Sequence, residues 1–66
     1  MNPLKFFRQE RGFPQIKLAT ETGIHPSILS MAENGWRKLT PEQLQKVAQV
    51  LGVSTEKLQS QETLED

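Results

Sequence analysis

The stretch from Pro14 to Gly35, PQIKLATETGIHPSILSMAENG, leaves this chain few ways to fold. It contains two helix-length segments separated by Gly23-Ile24-His25. Each opens on a proline (Pro14, Pro26) and closes on a glycine (Gly23, Gly35). Proline in a first helical turn loses no hydrogen bond, and glycine takes the left-handed conformation that ends a helix. Apolar Ile16, Leu18 and Ala19 precede the turn, and Leu29 and Ala32 follow it. Helices this short are not stable alone, so the remaining residues must supply a body against which the pair packs.

The rest of the chain reads as that body. Asn2-Pro3 is a helix start, with Asn as cap and Pro at the first position. At about 100° per residue, Leu4, Phe7, Arg8 and Arg11 share one face of helix one, and Phe6 points away. Gly12 ends the helix and Phe13 is expected to turn back into the core. Helix two is expected from Pro14 to Thr22, with Ile16, Leu18 and Ala19 inward and Lys17 and Glu21 in water. In helix three, Leu29, Ala32 and Glu33 share one side, Ser27, Ser30 and Met31 take the other, and Ile28 sits on the boundary. Arg8 therefore falls on an inward face of helix one, and Glu33 on an inward face of helix three. An unpaired buried charge is too costly to keep, so Arg8 and Glu33 are expected to form an internal ion pair.

Trp36-Arg37-Lys38-Leu39 reads as a loop, and Thr40-Pro41-Glu42-Gln43 as a capping box. Leu44, Val47, Ala48 and Leu51 then form an inward stripe. Gly52 stops helix four, Val53 is expected to pack inward, and Ser54 caps a short fifth helix carrying Leu58. No strand pattern competes, so the expected fold is all-α, with five short helices. Residues 1–60 are expected to form one domain, and the polar, acidic residues 61–66 a frayed tail.

Size and composition narrow the function. Sixty-six residues suffice for one domain with a marginal core. With no cysteine and one histidine, neither a disulfide nor a metal site is expected, and no cofactor. No apolar run reaches the roughly 20 residues of a membrane span. A cytoplasmic protein is the expectation. No nucleophile–base set and no phosphate-cradling glycine loop is present, so an enzyme is not expected. Net charge is zero, but residues 1–40 carry six basic and three acidic side chains, and residues 41–66 two and five. The basic half holds the two-helix stretch, as an approach to phosphates requires. Two helices joined by a glycine-containing turn are the layout of a helix-turn-helix, whose second helix enters a DNA major groove.

In register, these residues resemble the lambda-repressor-like, or xenobiotic-response-element (Cro/repressor type), helix-turn-helix family. The resemblance runs through Leu4, Arg8 and Gly12, then Gln15, Leu18, Ala19 and Gly23, then Ser30, Glu33 and Gly35, and finally Leu44 to Val53. It implies a lambda-repressor-like DNA-binding domain and a transcriptional regulator of repressor type that binds double-stranded DNA as a homodimer. Gln15 would anchor a phosphate at the start of helix two, near Lys17. Pro26, Ser27, Ile28, Ser30 and Met31 would face the groove. Asn34, Trp36, Arg37 and Lys38 would touch the backbone downstream. Arg8 and Glu33 match the family's internal ion pair. The second copy would meet the first through helices four and five, with Leu58 and Leu64 as candidate contacts.

The chain departs from the family in two ways. Pro14 and His25 stand where members usually begin helices two and three with Ser or Thr. The groove face also lacks any Arg, Lys, Asn or Gln, the side chains that make bidentate contacts with base edges. Ile28 and Met31 can meet thymine methyls, which shifts the reading toward shape and apolar contact. The same apolar face suits a protein partner, so an adaptor, or an antitoxin or controller subunit that keeps the fold, is the alternative.

Overall fold

The computed structural model describes residues 2–64, with side chains described through Gln59. Five helices follow in order: α1 (Pro3–Glu10), α2 (Gln15–Thr22), α3 (Pro26–Glu33), α4 (Pro41–Leu51) and α5 (Thr55–Leu64). Among the described residues there is no strand. α2 packs against α3 and α4, α1 against α3 and α5, and α4 against α5. Leu18, Leu29, Val47 and Leu51 are fully buried at the centre, one residue from each of α2 and α3 and two from α4.

Side-chain caps set most helix starts. The Asn2 carboxamide oxygen accepts from the backbone N–H of Leu4 and Lys5 at 2.9 and 3.2 Å. Its amide nitrogen donates to the Ala32 carbonyl at 2.9 Å, so one residue caps α1 and ties it to the end of α3. Thr40 and Gln43 form the expected reciprocal box, with bonds of 3.1 and 3.0 Å. Ser54 Oγ accepts from Lys57 N–H at 3.3 Å. α3 ends with Gly35 N–H on the Ala32 carbonyl and Trp36 N–H on the Met31 carbonyl. This paired closure aims the following loop.

Two expectations from the sequence need correction. Ile16, expected inward, is 64% exposed, and the inner face of α2 is Leu18, Ala19 and Thr22. Thr22 can be buried because its hydroxyl donates to the Leu18 carbonyl at 2.7 Å, so no polar group is stranded. Ile24, within the turn, is also buried at 5% exposure and anchors it from below. α5 runs to Leu64, four residues into the segment expected as a tail. Glu65 and Asp66 lie outside the described residues.

Arg11 does more than share a face with Arg8. Its Nε donates to the Leu51 carbonyl at 2.7 Å, placing a cation at the carbonyl end of α4. Gly52, just beyond, has φ +72°, and a Cβ there would overlap the Arg11 guanidinium. Gly52→Ala should therefore combine backbone strain with loss of the Arg11 contact, lowering stability by about 1–3 kcal/mol in urea denaturation. In an Arg11→Ala background the same substitution should cost less, because only the backbone strain remains.

Candidate nucleic-acid interface

α3 is held from behind. Leu29 is fully buried, and Ala32 and Glu33 are each 7% exposed. Ile28, expected on the boundary, packs one side against the core. Ser27 is exposed, and Pro26, Ser30 and Met31 are half-buried, so each retains an outward surface.

The anchor for α3 is Arg8. Its Nε and Nη2 donate to the two carboxylate oxygens of Glu33 at 2.6 and 3.1 Å, a side-on bidentate pair. Its Nη1 donates to the Phe13 carbonyl at 2.7 Å. Both partners are buried, and every charged atom of the pair has a hydrogen bond, which offsets the cost of removing it from water. Glu33 Oε1 also accepts from Gln15 Nε2 at 3.1 Å. One carboxylate thus joins the inner face of α1, the first residue of α2 and the last residue of α3.

Gln15 therefore stands on the fixed part of the structure, half-buried, and no side chain caps α2 at Pro14. Lys17, two residues further along α2, is exposed, with Nζ 4.7 Å from the centroid of the Phe13 ring. Asn34 is exposed, and its amide donates to the Ser30 carbonyl at 2.8 Å. Trp36 is 78% exposed, and Arg37 and Lys38 are exposed beside it. The structure thus arranges Gln15 and Lys17 on α2 and Asn34 to Lys38 beyond α3, on either side of the outward residues of α3 in the chain.

Other expected contacts fall elsewhere. Leu58, a candidate for self-association, is 6% exposed and spent in the chain's own core. This agrees with its expected core position and leaves the dimer role unfilled: α1 and α5 pack together, and among the described side chains of α5 Leu58 is the buried apolar one. The Leu64 side chain lies outside those described. His25 was legible only as an unusual cap, and the structure gives it a second contact. Its Nδ1 accepts the Ser27 N–H at 3.1 Å and lies 2.8 Å from Ser27 Oγ. The only sequence signal for that pairing is the two-residue spacing from cap to hydroxyl.

Among the described residues, no group of His, Asp or Glu side chains is placed to hold a metal, and no helix is long and apolar enough to cross a membrane. A groove of about 360 Å³ between the start of α1 and α5 is lined by Leu4, Leu39, Leu44, Leu58 and basic Arg37 and Lys38. Among the described residues, no carboxylate, imidazole or hydroxyl side chain lines it.

α2 and α3, joined by a short turn and held to α1 by the buried Arg8–Glu33 pair, have the layout of a helix-turn-helix. The helix-turn-helix family model matches residues 4–58, and the chain belongs to that family, of the Cro/C1 type, whose members are DNA-binding regulators rather than enzymes. Comparison with curated proteins and with solved structures returns no match.

The pair makes a direct test available. Arg8→Ala should cost about 3–5 kcal/mol in chemical denaturation, because it leaves Glu33 buried without its partner. A domain of this length holds roughly 3–10 kcal/mol in total, so much of the stability would go. Replacing both together, Arg8→Met with Glu33→Leu, should recover most of the loss, since the half-exposed Gln15 amide and Phe13 carbonyl can turn to water.

Proposed function

We propose that this chain is a sequence-specific transcriptional regulator of prokaryotic or phage type, working in the cytoplasm on double-stranded DNA. In this reading α3 lies in the major groove, and residues 1–60 act as one DNA-binding domain. The observation that carries it is the anchoring of α3: Leu29, Ala32 and Glu33 are buried, while Ser27, Ser30 and Met31 keep outward surface. A reading helix must be rigid behind and open in front, because misplaced base contacts discriminate poorly.

Phosphate contacts come from Gln15 and Lys17 on one side and from Asn34, Trp36, Arg37 and Lys38 on the other. These set affinity and orientation, and the α3 side chains set sequence. Met31 and the outward edge of Ile28 suit thymine methyls, and Pro26 adds apolar contact. One helix of eight residues spans only a few base pairs. Two copies on half-sites about 34–36 Å apart give useful affinity, so the working form is a homodimer. With Leu58 committed to the core, the dimer contact falls to the outer faces of α4 and α5 and to the loop between them. Action as a repressor follows where such a dimer covers a promoter.

The outward apolar residues also support a second reading, a protein-binding adaptor or a controller subunit with a protein partner. Ile16 and Trp36, at 64% and 78% exposure, are its basis. Duplex titration followed by Trp36 fluorescence separates the two. A dimer with Lys17, Arg37 and Lys38 on phosphates should show a log–log salt slope of about −5. Arg37→Ala should flatten that slope by about 2 and weaken all sequences alike, whereas Met31→Ala should relax preference for thymine at one position. Binding that is absent or insensitive to salt favours the adaptor.

A further inference from the structure

We infer that His25 is a positioning residue that fixes the Ser27 hydroxyl as a hydrogen-bond acceptor toward the groove, so that Ser27 selects a base edge carrying an amino group. The inference rests on the DNA-binding reading above and deepens it. Its basis is a short chain of donors and acceptors at one ring nitrogen. His25 Nδ1 lies 3.1 Å from the backbone N of Ser27 and 2.8 Å from Ser27 Oγ. A backbone N–H can only donate, so Nδ1 must be bare and accepting. The neutral ring proton then sits on Nε2. With Nδ1 bare, the contact to Oγ requires the hydroxyl to be the donor, and its single proton is committed to the ring. What remains of Ser27, an exposed residue, is an oxygen with lone pairs only.

A serine with a free hydroxyl either donates or accepts and discriminates poorly between base edges. A serine whose proton is held can only accept. In the major groove its complements are the amino groups of adenine (N6) and cytosine (N4), while guanine O6 and thymine O4 present further acceptors. Ser27 thus becomes discriminating without a bidentate side chain. A Ser or Thr cap at position 25 would satisfy the Ser27 N–H, but the imidazole ring also reaches Oγ.

Two measurements test this. Ring ¹⁵N spectra of the full chain, taken with the imidazole neutral, should show a bare Nδ1 and a protonated Nε2. Selection from a random duplex pool should enrich adenine or cytosine at one position per half-site, by up to about tenfold, the range of a single hydrogen bond. Ser27→Ala should lose that preference alone. His25→Ala should lose it too, with the other positions kept. His25→Asn, whose side-chain oxygen accepts from both Ser27 donors, should restore it. A ring protonated at Nδ1 overturns the inference, as does Ser27→Ala keeping every wild-type preference. Failure of His25→Asn to restore what His25→Ala loses also overturns it. A wild-type pool with no enriched sequence overturns the DNA-binding reading and this inference with it, whatever the ring spectra show.

Discussion

The Arg8–Glu33 pair is the constraint on which the other features depend. Buried ion pairs are weak sources of net stability, because desolvation cancels most of the Coulomb attraction. Their geometry is nonetheless demanding. The guanidinium fork fits the carboxylate in one orientation, at 2.6 and 3.1 Å, and its third arm holds the Phe13 carbonyl at 2.7 Å. An apolar contact between α1 and α3 would tolerate sliding, and this one does not. With ten buried apolar residues among those described, such a directional joint fixes the angle of α3 where the small core would leave it loose.

Gln15 extends that joint to α2. The side chain proposed to meet a phosphate bonds to the same carboxylate that anchors α3. Lys17 adds a second link, its ammonium over the Phe13 ring while Phe13 accepts from Arg8. Gln15, one of the groups proposed to hold the DNA backbone, and the helix proposed to read bases are therefore positioned by one buried cluster. A chain of zero net charge keeps basic surface here because its cations outnumber its carboxylates in residues 1–40 and the reverse holds in residues 41–66, with Lys17, Arg37 and Lys38 exposed.

Much of this was legible in the sequence, for reasons that differ by residue. Arg8 on an apolar stripe demanded a partner, and only Glu33 lay on a facing inward side. The capping box at Thr40 and Gln43 was legible because caps are local chemistry. Ile16 was misread because hydrophobicity alone ranks it above Thr22, whereas burial in α2 follows direction, and Thr22 satisfies its own hydroxyl on the Leu18 carbonyl. Leu58 was legible as core from its place on α5, and its second reading as a dimer contact came only from the family resemblance. The links from Asn2 to Ala32 and from Arg11 to Leu51 were invisible, since each joins residues 30 or more apart through one side chain and one carbonyl.

The closure at the end of α3 carries a mechanical consequence. Gly35 and Trp36 bond back to the Ala32 and Met31 carbonyls, so the direction in which the chain leaves the helix is set by the helix's own last turn. Residues 36–38 are thus an outrigger on α3, and any rotation of that helix swings them with it. In the proposed reading, accommodation on an imperfect target falls to the duplex, through bending or a change of groove width, and the compliance of the DNA becomes part of what is selected.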